Sequence, residues 1–375
     1  MAAEPADRMN IALVGTRGVP ANYGGFETCV EEIGRRLVER GHEITVYCRK
    51  NYYQERQSTY LGMKLIYLPN LRRKSLDTLS HTFLSVMHAC ARPYDVLMVF
   101  NAANSPTLLF PRLLGKKIAI NTDGLEWRRG KWGPLARNYY KMSEWLSTKV
   151  AQRIIADSTG IQDYYRERYG VDSSHIAYGA YLSKSLRPEL LEGLGLRPGE
   201  YFLQVTRFEP ENNPLLTIEA YKRLHTDKKL VLVGDIPYES DYSRQIKELS
   251  AEDILLPGAI YEKHLLREIW CNCYAYVHGN EVGGTNPALL QAMASNCFTI
   301  AIDVSFSRDT LQDGGIYYKK NDAALAKQMQ WALDHSTDLD EYRQRALVRI
   351  RENYSWETVT DGYEKLFCEM LCGKY

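Results

Sequence analysis

Short apolar runs alternate with spans of helical periodicity along this chain, and they do so in two series separated by a break. In the first series, residues 10–15 form an apolar run closing on Gly15, 26–40 carry apolar residues at helical spacing and stop at Gly41, and 43–48 form the next run. Runs at 64–68, 95–100, 117–121 and 153–157 repeat the pattern. Residues 181–200 contain Pro188 and Pro198 and lose the periodicity, so they read as an interdomain linker. The alternation restarts with predicted strands at 201–205, 229–234, 253–257, 275–278 and 298–302. Helices are predicted at 214–225, 242–249, 262–270, 287–294 and 322–335, and a helical tail at 340–372 with Ser355 as a cap for the last helix. Strands that alternate with helices cannot pair through tight turns, so they build parallel sheets covered on both faces. The expected fold is therefore α/β, with two Rossmann-like parallel-sheet domains at 9–185 and 190–356. A helix over 357–375 is expected to pack back on the first. Ligands of such sheets sit at the carboxyl ends of the strands, so two facing sheets would bound a cleft.

Bulk charge excludes few partners. The 375 residues carry 47 Lys+Arg and 46 Asp+Glu, a net charge of +1 that gives no sign of a nucleic-acid partner. The halves differ: residues 1–180 hold 25 basic and 17 acidic residues (+8), and the rest hold 22 and 29 (−7). A basic first half suits an anionic acceptor or the anionic face of a membrane, with clusters at Arg72-Arg-Lys74, Lys116-Lys117 and Arg128-Arg-Gly-Lys131. Each cluster alone reads equally as a solvated face. Eight cysteines show no CxxC pair and no zinc spacing, and several lie in apolar runs, as free thiols of a reducing, cytoplasmic compartment do. The polar N-terminus lacks a signal-peptide core, and no run approaches the roughly 20 apolar residues that span a bilayer, so membrane contact would be peripheral.

Three loops can carry chemistry. Gly15-Thr-Arg-Gly-Val-Pro-Ala-Asn-Tyr-Gly-Gly-Phe-Glu27 links the first strand to the first helix, with Gly24 and Gly25 placed to bring backbone N–H groups near a phosphate. It matches neither GxGxxG nor a P-loop. Thr206-Arg-Phe-Glu-Pro-Glu-Asn-Asn213 follows the first strand of the second series, where Arg207 can grip a diphosphate bidentately or simply pair with Glu209 or Glu211. Val282-Gly-Gly-Thr-Asn-Pro287 leads into a helix. Gly283 and Gly284 admit a ligand close to the backbone, Thr285 and Asn286 offer donors, and the helix dipole favours an anion.

Together these segments resemble glycosyltransferase family 4, of the GT-B fold, and more closely its bacterial rhamnosyltransferase-like branch. Asn121-Thr-Asp-Gly-Leu-Glu-Trp-Arg-Arg-Gly-Lys-Trp132, Ala156-Asp-Ser-Thr159 and Tyr354-Ser-Trp356 also fit, so the resemblance spans nearly the whole chain. It implies a retaining glycosyltransferase that extends a cell-surface polysaccharide or lipid-linked glycan from a nucleotide diphosphate sugar, with dTDP-L-rhamnose as the expected donor. A UDP-hexose or UDP-N-acetylhexosamine donor, or a non-catalytic sugar-binding protein on the same scaffold, are the alternatives. Arg207 would bind the diphosphate. Asp123 would orient or deprotonate the acceptor hydroxyl, with Glu126, Trp127 and Arg128 on the acceptor side. Gly234 and Ile260 would flank the nucleotide base. The chain departs from the family where Asn212 replaces a Lys, and where Gly283 and Gln291 replace two Glu. The donor site thus holds fewer formal charges than its relatives. The sole Asp-x-Asp, Asp338-Leu-Asp340, lies in the tail, so no metal or other cofactor is expected. The missing GxGxxG argues against a nicotinamide oxidoreductase.

Overall fold

The computed structural model describes residues 8–21, 24–71, 76–122, 124–128, 132–235 and 240–373. Asp123 and the basic residues at 72–74 and 129–131 lie outside the described residues. The chain forms two compact units, Met1–Gly179 with Trp356–Tyr375, and Ala180–Ser355.

The first unit is built on one eight-stranded sheet. Its strands are β1 (Asn10–Val14), β2 (Glu43–Arg49), β3 (Thr59–Tyr60), β4 (Met63–Leu68), β5 (Val96–Phe100), β6 (Ile118–Asn121), β7 (Arg153–Ala156) and β8 (Ser174–His175), in the order β3-β4-β2-β1-β5-β6-β7-β8. Every pair is parallel except β3 with β4. Its helices α1 (Gly25–Glu39), α2 (Asp77–Cys90), α3 (Leu109–Leu113), α4 (Pro134–Val150) and α5 (Thr159–Tyr169) join the strands. All residues of β5 are buried, as a strand covered on both faces requires, hence its unbroken apolar run. The two-residue strands β3 and β8 are too short to leave a periodic signal.

The second unit holds β9 (Tyr201–Val205), β10 (Lys229–Val233), β11 (Ile254–Gly258), β12 (Ala275–His278), β13 (Thr299–Ile302) and β14 (Gly315–Tyr318) in the order β11-β10-β9-β12-β13-β14. All its strand pairs are parallel. Helices α6 (Pro214–Tyr221), α7 (Asp241–Glu248), α8 (Lys263–Cys271), α9 (Pro287–Ala294), α10 (Ser305–Leu311), α11 (Asp322–Asp334) and α12 (Leu339–Asn353) complete it. Alternate strand residues enter two separate cores. Phe202, Leu230, Leu232, Ala275, Val277 and Ile300 pack on one side. Tyr201, Leu203, Val231, Val233 and Tyr276 pack on the other. The sheet order reverses between β9 and β12, whose following loops therefore diverge. These are the Arg207 and Val282–Pro287 loops. The last helix, α13 (Trp356–Leu371), returns to the first unit. There Tyr363 OH accepts a hydrogen bond from Asn121 Nδ2 at 3.0 Å, and the Arg36 Nε–Glu357 Oε1 pair closes at 2.6 Å.

Residues 181–200, expected to form a linker, are instead structured parts of the second unit. Leu191 and Leu196 are buried in its core. The cause is Glu268 on α8, whose buried carboxylate accepts hydrogen bonds from Ser185 Oγ (2.5 Å), Leu186 N (2.9 Å) and Arg187 N (3.1 Å). Burial alone would raise its pKa, but these donors and Arg267 outweigh it and hold the group at about 2. A folded pKa below the unfolded one contributes stability above the ordinary carboxylate range, lost as pH falls toward 2. Glu268→Gln is expected to lower unfolding stability by about 1–3 kcal/mol at pH 7. It should also flatten the loss of stability between about pH 4.5 and 2, measured by urea titration across pH.

Candidate functional site

The two loops at the switch point of the second sheet are tied together by amide side chains. Gln204 Nε2, at the end of β9, donates to Asn212 O at 3.0 Å. Asn212 Nδ2 donates to Arg207 O at 2.9 Å, and Asn280 Nδ2 donates to Asn212 Oδ1 at 2.8 Å. Asn213 sits in the left-handed region (φ 57°), which Asn tolerates, and its Nδ2 donates to Gly279 O at 2.8 Å and to Glu281 Oε1. Lys320 Nζ pairs with Glu281 Oε1 at 2.7 Å. Asn212 is therefore a buried brace engaged at both ends of its amide, not a group projecting toward a donor. It stabilises the backbone from which Arg207 projects. That role was not readable from sequence, because its partner Asn280 is 68 residues away.

Arg207 is exposed, and among the described residues its guanidinium has no hydrogen-bond or ion-pair partner. The pairing with Glu209 or Glu211 that the sequence allowed is not formed. Other polar atoms of this unit are unsatisfied: Thr206 Oγ1 next to Arg207 in the chain, Asn280 Oδ1 after β12, and Ser307 Oγ on α10 are buried without a hydrogen-bond partner. Buried polar atoms left unpaired cost free energy and mark places where a polar ligand fits. A small cavity under the 280–286 loop is lined by His278, Asn280, Gly283, Gly284, Asn286, Phe306 and Ser307. Burial pushes His278 down to about 3, so it is neutral at physiological pH. Phe306 and Ser307 went unnoticed in the sequence because the seven-residue α10 shows too little periodicity.

Gly283 (φ 146°) has open space where a Cβ would stand, whereas Gly284 is buried. Thr285 is buried. The start of α9 offers fewer anion donors than the motif suggested: Pro287 has no N–H, and the Ala288 N–H is taken by Asn286 Oδ1 at 2.9 Å. Gln291 on α9 donates through Nε2 to Ser183 Oγ (3.2 Å) and Ser295 Oγ (2.9 Å). With both amide hydrogens used, its carbonyl oxygen is the end left to accept from a ligand hydroxyl. Gly234 follows β10 with φ 149°, and a Cβ there would stand 1.7 Å from Thr206 O. Ile260 is half-buried against the core.

In the first unit, residues 15–21 are held by two carboxylates of α1. Arg17 N donates to Glu27 Oε1 at 2.9 Å, and Ala21 N to Glu31 Oε2 at 2.7 Å. Those two N–H groups are thereby withdrawn from any phosphate. Gly24 precedes α1 and Gly25 opens it. On the acceptor side, Glu126 Oε2 accepts from Trp132 Nε1 at 3.1 Å. Lys141 Nζ lies 4.6 Å from the centre of the Trp127 ring, and the exposed Arg128 guanidinium lies 5.3 Å from it. Beneath them Glu144 Oε2 accepts from Tyr164 OH (3.0 Å) and Tyr169 OH (3.3 Å). Burial pushes Glu144 up to about 7, although Tyr164, Tyr169, Trp127 and Lys141 pull the other way. Among the described residues, no three His, Cys, Asp or Glu side chains gather as metal ligands would. Asp340 of the tail Asp-x-Asp pairs with Arg343 within α12.

Two substitutions test this geometry. Gly234→Ala should displace the Thr206–Arg207 backbone and destabilise the fold by about 1–3 kcal/mol, read as a lower thermal midpoint. Glu144, with its folded pKa raised, makes stability fall as pH climbs from about 4.5 to 7. Glu144→Gln should remove that slope, and urea midpoints at pH 5 and pH 8 should then differ less than in the parent.

Residues 189–349 match the family described as Glycosyl transferases group 1, and residues 109–181 match a domain of unknown function, DUF1972. A Campylobacter jejuni protein named N-acetylgalactosamine-N,N'-diacetylbacillosaminyl-diphospho-undecaprenol 4-alpha-N-acetylgalactosaminyltransferase is 24% identical over 269 residues, covering 68% of this chain and 72% of its own. Sucrose-phosphate synthase from Thermosynechococcus elongatus superposes with a TM-score of 0.83 at 18% identity, covering 98% of this chain and all of that one. Anabaena HepE in complex with UDP gives 0.75 at 16%, covering 96% and 99%. The fold is thus GT-B, and the chain is a glycosyltransferase whose second unit carries the group 1 domain.

Proposed function

We propose that the chain is a retaining, metal-independent glycosyltransferase that moves a sugar from a nucleotide diphosphate donor, held by the second unit, to a glycan or lipid-linked glycan acceptor met by the first. The observation that carries this reading is Arg207: a cation at the carboxyl end of β9, exposed and without a counter-ion among the described residues, beside buried polar atoms that lack partners. A diphosphate would satisfy both. In the transfer, an acceptor hydroxyl oxygen bonds to the anomeric carbon as the bond from that carbon to the diphosphate breaks. The electron pair leaves with the diphosphate. Arg207 neutralises the charge that develops there, and backbone N–H groups of the Gly283–Thr285 turn assist. Asp123 orients the hydroxyl or takes its proton. Gln291, anchored by Ser183 and Ser295, presents its carbonyl oxygen to a ribose hydroxyl. Gly234 and Ile260 flank the base. Glu126, Trp127 and Arg128 form the acceptor side, with Trp127 as a stacking face for a sugar.

The motifs of the rhamnosyltransferase-like branch of family 4 favour dTDP-L-rhamnose as donor. The name of the Campylobacter relative favours a second reading, a UDP-N-acetylhexosamine donor and a polyprenyl-diphosphate-linked acceptor. All eight cysteines are free, and no helix among the described residues is long and apolar enough to cross a membrane. Both suit a cytoplasmic enzyme in peripheral contact with an anionic membrane.

A thermal-shift series with dTDP-, UDP- and GDP-sugars reads the donor, since ligand binding to the folded state raises its melting temperature. One nucleotide should stand out. Arg207→Ala should weaken its binding about 10- to 100-fold, the range expected for lost charge-assisted hydrogen bonds. Equal shifts for Arg207→Ala and the parent, or no shift with any nucleotide sugar, would overturn the reading.

A further inference from the structure

The first unit carries an apolar, basic surface that the transfer chemistry does not use. Helix α2 contains no Lys, Arg or Glu, and its single charged residue, Asp77, is tied to Arg49 Nη1 at 2.8 Å. Its outer face exposes Phe83, Leu84 and Met87. Next to it, α3 and its end expose Leu109, Phe110, Leu113 and Leu114, with Leu113 84% exposed. Helix α4 exposes Leu135 (87%), Met142 and Trp145 along one stripe. The three helices share a support: α2 and α4 both pack on the short helical segment Ala102–Leu108, and Tyr139 OH on α4 donates to Ala103 O there at 2.7 Å. Scattered exposed leucines are ordinary, but ten large apolar side chains exposed on three helices that share one support are a concentration of the kind that marks an interaction surface.

Charge identifies the partner. The same helices expose Arg112, Arg137, Lys141 and Lys149. None of them exposes an acidic residue, because Asp77 is half-buried and paired and Glu144 is buried. A broad apolar face studded with cations, including a half-exposed Trp, fits the interface of an anionic bilayer, where apolar groups enter the acyl boundary and Lys/Arg meet the headgroups. It fits a second copy of the chain poorly, since a two-fold contact would set these cations against their own copies.

We infer that the α2–α3–α4 face of the first unit is a monotopic docking surface for anionic lipid bilayers, which holds the enzyme where a lipid-linked acceptor is anchored. This deepens the membrane part of the proposed function. Docking is read without any nucleotide sugar, so its failure would leave donor binding standing, and a failure of donor binding would leave docking standing.

The test is flotation of the full chain with vesicles of phosphatidylcholine and phosphatidylglycerol in equal parts, and with phosphatidylcholine alone. The chain should float with the anionic vesicles and at least about tenfold less with the neutral ones. Leu113→Glu and Leu135→Glu, at positions too exposed to disturb the core, should each reduce flotation about tenfold, the scale of one lost leucine insertion. Arg112→Glu with Arg137→Glu should reduce it by a further large factor, at about fivefold for each lost cation. Val348→Glu, at an exposed position of the second unit, should leave flotation unchanged. Melting temperatures of all variants should match the parent. Absence of flotation, equal flotation with neutral vesicles, or equal loss in Val348→Glu would overturn the inference. So would dimerisation through this face, seen by light scattering as a parent dimer that Leu113→Glu dissolves.

Discussion

Parallel strands pair only if each chain crosses the sheet before returning, so every strand ends in a loop at the same edge. In the second unit this constraint meets the reversal of strand order between β9 and β12, and the two loops that leave there must diverge. The amides of Asn212, Asn213 and Asn280 then bind those loops to one another. The backbone at Arg207 and the cavity lined by Asn280 rest on that bracing. Where the resembled family sets a Lys, Asn212 supplies a hydrogen-bond bracket instead.

The bracket alters the electrostatics of the site. Relatives of the resembled family set a Lys and two Glu where this chain has Asn212, Gly283 and Gln291. Removing one cation and two anions together shifts the local charge by one positive unit and lowers the number of charges that must be desolvated when a ligand binds. In the proposed function, a single guanidinium and neutral amides are then the groups that would recognise the ligand. Gln291 illustrates how such a group gains direction: two serine hydroxyls use its hydrogens and fix which end is presented.

Much of this was legible in the sequence because the relevant signals are local. Unbroken apolar runs such as Val96–Phe100 betray strands buried on both faces, and Gly-rich loops at strand ends betray the switch point. What escaped was non-local or short. The 181–200 segment lacks periodicity, yet Glu268, some 80 residues on, pins it to the second unit. The helix start at Pro287 looked rich in anion donors until Asn286 was seen to cap it. Helix α10 falls below the length at which periodicity speaks, so Ser307 was missed. The acceptor side was read from a motif, and its buried Glu144 could not be, because its hydrogen-bond partners Tyr164 and Tyr169 come from another element.

The central claim is that the carboxyl-end loops of the second sheet hold a nucleotide diphosphate. Hydrogen–deuterium exchange of the full chain, with and without a saturating nucleoside diphosphate, tests it most directly. Slowed exchange confined to backbone amides at 206–213, 234–235 and 279–287 is the predicted result. Unchanged exchange in those three loops while the nucleotide binds, with protection appearing elsewhere, would contradict it.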